Sequence, residues 1–324
     1  MKKNDPPFVI TNKILTLTSE ISELVGQVVS TDNLSADPIL RRTNRIRSIQ
    51  ASLAIEQNSL SLDQVTAVLS GKRVLAPPRD IKEVKNAYEI YEKLDQLDPF
   101  SVDDLLLAHQ VMMKDLVSES GEFRSKDVGV VDQKGNILHF GTLPAYVPKL
   151  VYDLLNWTKD SDLPMLIRSS VFHYEFELIH PFADGNGRVG RLWQTLLLST
   201  WQPVFGWLPI ESIIHNKQEK YYQAFNRSND AGESTVFVEF MLDAIKSALE
   251  EVSGISGIGA GKADQRWRMI RSFLAAHEVI MNADVRELFD VSSATANRVL
   301  SGFCEEGKLE KTRVGKYWGY RLPG

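Results

Sequence analysis

Residues 180–191 read His-Pro-Phe-Ala-Asp-Gly-Asn-Gly-Arg-Val-Gly-Arg and bring together an imidazole, a carboxylate, glycines and two guanidiniums. We call these residues the motif segment. Gly185 and Gly187 have no Cβ, so the backbone can turn tightly and present its N–H groups to an anion at close range. An imidazole with its ordinary pKa near about 6.5 can accept a proton at neutral pH, which makes His180 a candidate general base. The chemistry indicated is that of phosphate.

A helix is predicted directly after the glycines. Its N-terminus would favour a phosphate, because unpaired N–H groups and the helix dipole attract negative charge there. Arg188 and Arg191 lie three residues apart on one face and can reach successive phosphates of a chain. Asp184 suits Mg²⁺, which commonly takes one or two carboxylates together with phosphate oxygens. The helical spacing is that of the apolar residues Val189, Leu192, Trp193, Leu196 and Leu197.

Each feature alone has an ordinary structural explanation. A Gly-Asn-Gly run is usually only a turn, a histidine before proline usually ends a helix, and two spaced arginines are usually solvated. A turn gives no reason for ionic residues and glycines to fall in phosphate-binding order. Together they favour a nucleotide site.

The motif segment resembles the signature of the Fic family, His-x-Phe-x-Asp/Glu-Gly-Asn-Gly-Arg-x-x-Arg, and matches it at every defined position. The resemblance implies a protein AMP-transferase with ATP as substrate and Mg²⁺ as cofactor. A target hydroxyl would give its proton to His180 and attack the α-phosphate, leaving AMP on Ser, Thr or Tyr of a protein.

The resemblance also implies the contacts to the triphosphate. Asp184 would hold Mg²⁺, and Gly185 and Gly187 would form the anion pocket. The remaining contacts are Asn186 to the α-phosphate, Arg188 to the β-phosphate and Arg191 to the γ-phosphate. Downstream, Tyr221, Tyr222 and Asn229 match family positions near the adenine. Neighbouring tyrosines on a helix point apart, so we expect at most one ring to stack.

A second segment resembles the inhibitory helix of this family, Ser/Thr-x-x-x-Glu followed by Gly or Asn. Ser52 and Glu56 lie four residues apart on one predicted helix over residues 43–57, and Gln57 departs from the pattern. Glu56 would pair with Arg191 and compete with the γ-phosphate. The alternative is an ordinary amphipathic helix with an exposed glutamate. Its apolar stripe is Ile46, Ile49 and Leu53.

Short β-branched runs on both sides of a turn at 132–136 predict a hairpin. In Fic proteins such a flap holds the target by strand addition, in which backbone hydrogen bonds supply the affinity. A hairpin with no such role is the alternative. The expected target-binding residues are Val128, Val130, Val131, Ile137 and Leu138.

Residues 251–262 are rich in glycine and predict a flexible linker, so that 263–324 would form a separate domain. Its pattern of helices followed by a hairpin around Gly315 is similar to a winged helix-turn-helix. Such a domain binds DNA through its third helix and wing, or serves as a protein-contact or dimerisation piece, and both remain open. The basic residues near the wing are Lys308, Lys311, Arg313, Lys316 and Arg321.

The fold class expected is mainly α: a Fic-type helical bundle with a small β-hairpin flap, plus the C-terminal winged helix-turn-helix. We expect an N-terminal helical region at 1–100 and a catalytic domain at 101–250. The 324 residues carry a net charge of −5, which argues against attraction of the whole protein to nucleic acid or to anionic membranes. With a single cysteine, Cys304, no intrachain disulfide is possible. No signal peptide or membrane-length apolar stretch is evident, so the cytoplasm is the expected location.

Two functions follow from these patterns. The first is an autoinhibited AMP-transferase acting on a protein substrate, including itself, and a homodimer is compatible with the resemblance. Removal of AMP is a related reaction that the sequence does not separate from transfer. The second is a DNA-binding regulator whose Fic-like domain senses nucleotide without transferring it. An intact His180 favours the enzyme, because sensing needs no base.

Overall fold

The computed structural model describes residues 5–323 apart from 31–37, 132–136, 257–265, 268, 272, 275–276, 290 and 316. Contacts between Cα atoms divide the chain into two units. The first contains residues 1–29 and 41–249, and the second contains 30–40 and 250–324. The motif segment, the Glu56 region and the flap all lie in the first unit.

The described part of the chain up to residue 256 is helical apart from one two-stranded hairpin. Its elements in order are α1 (Asn12–Ser30), α2 (Pro38–Ile55), α3 (Leu62–Leu69), α4 (Pro78–Glu92), α5 (Val102–Met112), β1 (Gly129–Val131), β2 (Ile137–Phe140), α6 (Val147–Asp160), α7 (Met165–Ile179), α8 (Asn186–Trp201), α9 (Ile210–Asn216), α10 (Gln218–Ala231) and α11 (Thr235–Ser256).

Helices α7 and α8 form the centre of this unit. Side chains are buried around nearly the whole circumference of both, as expected for helices that other helices surround. Phe172, Phe176 and Trp193 belong to a core that extends from Ile46 in α2 to Leu197 in α8. The loop between α7 and α8, residues 180–185, is therefore anchored at both ends in packed structure.

The hairpin predicted around 132–136 is present as the antiparallel pair β1 and β2. Val130 pairs with His139, and the register shifts between Val130 and Val131. The backbone amide of Gly141 donates to the carbonyl of Val128 (3.0 Å), which extends the pairing toward the base of the hairpin. The turn at 132–136 lies outside the described residues.

The second unit contains the helices and the hairpin expected near the C-terminus. Its described elements are β3 (Ile280–Met281), α12 (Asn282–Phe289), α13 (Ser293–Glu305), β4 (Glu310–Val314) and β5 (Tyr317–Arg321), and the described residues of 266–274 are helical. Ser292 caps α13 through the amide of Thr295 (3.3 Å). The sheet order is β3-β5-β4, and β3 was not expected from the sequence.

The predicted boundaries differ from the structure in two places. Helix α11 continues to Ser256, so the first six positions of the expected linker 251–262 are helical and the rest lie outside the described residues. Buried Leu249 and Val252 continue the apolar stripe, and this burial outweighs the poor helix propensity of Gly254. Residues 1–100 and 101–250 do not separate, because one core joins α2 to α8. Among the described residues, no helix is long and apolar enough to span a membrane.

Candidate active site

His180 ends α7 in the left-handed conformation, with φ 53° and ψ 62°. Its backbone amide still donates to the carbonyl of Phe176 (2.9 Å), and Pro181 cannot continue the helix. Positive φ is uncommon for a residue with a Cβ and is concentrated at functional sites. The imidazole is 18% exposed, and its Nδ1 lies 3.3 Å from the carbonyl oxygen of Glu177.

Asn186 fixes the loop that follows. Its side-chain oxygen accepts a hydrogen bond from the Phe182 amide, and its Nδ2 donates to the Phe182 carbonyl, each at 2.8 Å. Asn186 is 2% exposed. One Nδ2 hydrogen is not used by these two bonds, so the expected contact to an α-phosphate would come from that hydrogen or from the backbone.

His109 holds the other end of the loop from α5. Because the Gly121 amide donates to its Nδ1 (2.9 Å), the ring carries its proton on Nε2 and donates to the Asp184 carbonyl (3.0 Å). The ring stacks flat on Phe182 at 3.7 Å, and burial lowers the pKa of His109 to about 4. His109 is therefore a neutral, fixed support for the loop, and the sequence patterns did not identify it.

The N-terminus of α8 is the predicted anion pocket, and a carboxylate lies in it. Gly185 adopts φ 89°, and Gly187 follows in the first turn. A Cβ added to Gly187 would collide with Oε1 of Glu56 and would lie 3.0 Å from Nη1 of Arg191. Gly187 therefore makes room for an anionic group beside Arg191, where the helix terminus favours it.

Arg191 is 2% exposed and is surrounded by groups from the end of α2. Its Nη2 donates to Glu56 Oε1 (2.8 Å) and to the Ser52 carbonyl (3.0 Å), and its Nε donates to the Ser52 hydroxyl (3.0 Å). Burial opposes the charge of the guanidinium, but Glu56 and its other neighbours raise the pKa of Arg191. Glu56, which the resemblance implies as the partner of Arg191, contacts it in the structure, and Ser52 contacts the same guanidinium. The inhibitory effect of these contacts stays a prediction.

Arg188 is also buried and also paired with carboxylates. Its Nη2 donates to Asp184 Oδ1 (2.8 Å), and its Nη1 donates to Glu83 Oε1 (3.2 Å). Arg79 donates to the same two carboxylates, to Glu83 through Nε and to Asp184 through Nη2, both at 3.3 Å. Asn58 donates to Glu83 Oε2 (2.8 Å) and so connects this cluster to the segment after α2.

Asp184 is the residue that could hold a divalent cation. Its carboxylate is 42% exposed and lies among guanidiniums of the phosphate pocket. Within the part of the chain that the structure describes, no group of three or more His, Cys, Asp or Glu side chains could bind a metal by itself. A single accessible carboxylate fits Mg²⁺ that arrives with phosphate oxygens and keeps several waters.

The candidate adenine residues lie on α10. Tyr221 is 4% exposed, and its hydroxyl lies 3.1 Å from Nε2 of buried His173, so its ring belongs to the core. Tyr222 is half-buried, and its hydroxyl accepts from Gln218, which also donates to the Ile55 carbonyl at the end of α2 (3.1 Å). Of the two tyrosines, Tyr222 has the more accessible ring. Asn229 is half-buried on the same helix.

Glu177 is an unexpected carboxyl group beside the site. Its Oε2 lies 4.0 Å from Nδ1 of His180, and Gly190 gives it space, since a Cβ there would lie 3.1 Å from Oε1. Burial raises the pKa of Glu177 to about 8 against the opposing effect of Arg191. Glu177 is therefore largely protonated at pH 7.

The flap lies close to His180 at its base. A Cβ on Gly141, the residue after β2, would lie 3.3 Å from Cβ of His180 and 2.9 Å from Cγ2 of Val128. The side chains of Val130, Val131, Ile137 and Leu138 lie outside the described part, whereas their backbone forms the hairpin. Their role in binding a target stays a prediction.

The sequence patterns missed Arg79, Glu83, His109, Arg124 and Glu177. Arg79 and Glu83 lie four residues apart on α4, and the other three come from α5, the segment before the flap and α7. Only the packing of these elements brings the five side chains to the site. Arg124 ends a Gly-Glu-Phe-Arg run at 121–124, just before the flap, and no role follows for it from the sequence alone.

The fold and site define a helical protein with an anion pocket at a helix N-terminus, and comparison with known proteins agrees. The family model described as Fic/DOC family matches residues 99–198. The crystal structure of a Fic family protein from Desulfovibrio desulfuricans G20 is 41% identical, covers 99% of both chains and superposes with a TM-score of 0.75. The chain belongs to the Fic family.

Curated relatives are more distant. Protein adenylyltransferase fic-1 of Caenorhabditis elegans is 28% identical over 63% of this chain and 40% of its own length. A probable protein adenylyltransferase of Aquifex aeolicus is 28% identical over 55% of this chain and 53% of its own. The chain thus spans about half of their length or less. A structure of the C. elegans protein, 23% identical with a TM-score of 0.61, shares the fold.

Proposed function

We propose that this chain transfers AMP from ATP to a hydroxyl group of a protein, and that Glu56 holds it in an inhibited state. The observation that carries the proposal is the carboxylate of Glu56 on Arg191, over Gly187 at the start of α8. A γ-phosphate would need the same guanidinium and the same helix terminus. The relatives named protein adenylyltransferase support the reaction class.

The transfer forms one bond and breaks one. The hydroxyl oxygen of the target attacks the α-phosphorus of ATP, the bond to the bridging oxygen breaks, and pyrophosphate leaves. The hydroxyl proton passes to the imidazole of His180. N–H groups at the start of α8 and the guanidiniums of Arg188 and Arg191 stabilise the charge on the phosphates. Mg²⁺ held by Asp184 would neutralise phosphate charge when bound.

Inhibition follows from competition for one cation. Arg191 is buried, and its Nε and Nη2 already donate to Ser52 and Glu56. While Glu56 holds Arg191, a triphosphate binds without its γ-phosphate in that pocket, and the α-phosphorus is misplaced relative to His180. Removal of AMP from a modified protein is a related activity in which Glu56 would position a water.

The flap supports a protein as the acceptor. An antiparallel hairpin whose base touches His180 can add a third strand through backbone hydrogen bonds, which makes few demands on the sequence of the target. Self-modification follows where a segment of the same chain or of a second copy reaches the flap.

The test is label transfer from α-labelled ATP with Mg²⁺ to protein. We expect weak self-labelling by the wild type, strong labelling by Glu56→Gly and none by the double variant Glu56→Gly with His180→Ala. Glu92→Gly is the matched control, because it removes an Arg–Glu pair of 2.6 Å with Arg45 away from the pocket and should leave labelling unchanged. Equal labelling by Glu56→Gly and wild type would overturn the inhibitory role, and labelling without His180 would overturn the base.

A second function, binding of DNA by the C-terminal unit, is favoured by one surface. Lys311 and Arg313 lie 4.6 and 4.4 Å from the ring of Trp318, which is 47% exposed, and Tyr317 beside it is 70% exposed. Cations with an accessible aromatic ring can contact a phosphate backbone. Titration of the full chain with random duplex DNA at low salt tests this function. Unchanged binding after Lys311→Glu with Arg313→Glu would exclude this surface.

A further inference from the structure

Arg124 connects the base of the flap to the end of α7 through backbone carbonyls. Arg124 is 3% exposed. Its guanidinium donates hydrogen bonds to backbone carbonyls in three separate segments of the chain. Nε donates to the His180 carbonyl (2.6 Å), Nη1 to the Lys126 carbonyl (2.8 Å), and Nη2 to the carbonyls of Thr142 and, at 3.3 Å, Ile179.

The backbone of the same residue adds a further link. The Arg124 amide donates to the Pro181 carbonyl at 3.0 Å. Arg124 therefore holds three successive carbonyls, those of residues 179, 180 and 181. This fixes the left-handed turn at His180, in which the peptide planes on both sides of the imidazole are bound to one side chain.

The other two carbonyls that accept from Arg124 lie at the base of the flap, one on each side of the hairpin. Lys126 precedes β1 and Thr142 follows β2, so the guanidinium spans the open end of the hairpin. Gly141 permits this close approach, because a Cβ there would lie 2.8 Å from Arg124 Nη2. The flap and the turn that carries His180 are thus joined at a single buried cation.

We propose that Arg124 is the positioning residue that aligns the target hydroxyl with His180, because it holds the flap and the turn at His180 in a fixed position relative to each other. The proposal rests on the proposed transfer of AMP and adds a residue to it. A target strand bound on the flap presents its hydroxyl at a distance from the imidazole that Arg124 sets. Lysine cannot replace it, since one ammonium lacks the planar fork that spans several carbonyls.

The phosphate contacts do not pass through Arg124. Arg188 is held by Glu83 and Arg191 by Ser52, and both contacts remain in a Glu56→Gly variant. Loss of Arg124 should therefore lower the rate of transfer and leave nucleotide binding intact, a separation that general destabilisation of the fold would not produce.

The experiment uses the full chain with Glu56→Gly as parent and measures kcat and KM for ATP in self-labelling, with ATP affinity from calorimetry. We expect Arg124→Lys to lower kcat by about 100-fold, the scale of a misalignment of about 1 Å, with KM for ATP and affinity within about twofold of the parent. Absence of labelling by the parent itself would count against the proposed function, not against Arg124.

Arg168 provides the matched control. It also donates to two backbone carbonyls, those of Thr158 (2.7 Å) and Lys159 (3.3 Å), but at the end of α6. Arg168→Lys should leave kcat at the parent value. A kcat for Arg124→Lys equal to the parent's, or an equal loss for both lysine variants, would overturn the proposal.

Gly141→Ala tests the same junction with the guanidinium present, should Arg124→Lys not fold. Its new methyl group would press on Arg124 Nη2 and on Val128, and it should likewise lower kcat without changing ATP affinity. Full activity of Gly141→Ala, or a loss confined to ATP affinity, would contradict the role of this junction.

Discussion

Both arginines of the motif segment form ion pairs with carboxylates. Glu56 pairs with Arg191, and Glu83 pairs with Arg188, which is 4% exposed in its side chain. A buried guanidinium left without a partner is costly, so each pairing stabilises the pocket in the absence of nucleotide. Under the proposed function each carboxylate would also compete with a phosphate, because one guanidinium cannot hold both at full strength.

Glu83→Gln separates these two effects at the residue scale. The amide keeps the shape but removes the charge next to Arg79 and Arg188, and we expect a loss of about 2 kcal/mol in the free energy of unfolding. Both proteins of this comparison carry Glu56→Gly. ATP with Mg²⁺ should raise the Tm of the one with Glu83→Gln by more than it raises the Tm of the one that keeps Glu83, because phosphate replaces the lost carboxylate. Thermal unfolding with and without ATP measures both quantities.

Glu211→Gln is the control for this prediction. Glu211 is as buried as Glu83 but accepts from hydroxyls, those of Ser48, Tyr91 and Thr195. Its loss should destabilise the fold and leave the ATP-induced rise in Tm unchanged. An equal ATP effect in the two glutamine variants would show that Glu83 does not compete for phosphate.

At the scale of elements, the end of α2 decides where Glu56 points. The Asn58 amide donates to the Leu53 carbonyl and the Gln57 amide to the Ala54 carbonyl, both at 3.0 Å, which is the Schellman pattern of a helix C-terminus. Gln57 takes the left-handed position, with φ 68°. Glycine or asparagine is preferred at such a position, which gives a physical reason for the family's preference for Gly or Asn there.

Substitutions of Gln57 can therefore either stabilise or destabilise the end of α2, and the effect of each on self-labelling can be tested. Gln57→Gly relieves the left-handed strain and should stabilise the helix end by up to about 1 kcal/mol, so that basal self-labelling falls. Gln57→Val adds a β-branched residue that tolerates positive φ poorly, and labelling should rise. The measurement is the initial rate of self-labelling by otherwise wild-type chains.

Asp115→Gly controls for relief of strain in general. Asp115 also has a positive φ, of 60°, and its exposed ion pair with Lys82 contributes little. It should change Tm without changing the labelling rate. Identical labelling by the glycine and valine variants of Gln57 would mean that this helix end does not set the inhibition.

The helices, strands and turns differ in how well the sequence predicts them. The spacing in residues 180–191 predicted a glycine turn followed by a helix, and the paired runs predicted the hairpin, because these signals are local. The linker was expected too early, since composition at Ser253 and Gly254 does not report the burial of Leu249 and Val252. Glu83 and Arg124 reach the site through tertiary packing, which leaves no periodic trace in one sequence.

For the first unit as a whole, buried titratable groups around the motif segment set the dependence of stability on pH. Burial raises the pKa of Glu177 from 4.5 to about 8 and that of Glu175 to about 7, and it lowers the pKa of His173 from 6.5 to about 3. The folded state binds more protons than the unfolded state at the glutamates and fewer at the histidine, so their effects on stability oppose each other between pH 4.5 and 6.5.

Between pH 7 and 9 Glu177 titrates in the folded state, and above pH 8 it is the one of these three groups that still does so. Its unfolded carboxyl is already ionised there, so raising the pH removes a proton from the folded state alone and lowers the free energy of unfolding. Glu177→Gln should flatten this fall and be more stable than wild type at pH 8. Urea unfolding at pH 7, 8 and 9 measures the slope, with Glu175→Gln changing it mainly below pH 8. If the wild type gains stability from pH 7 to 8, or Glu177→Gln keeps the wild-type slope, Glu177 is ionised in the folded protein and its negative charge lies beside His180 at neutral pH.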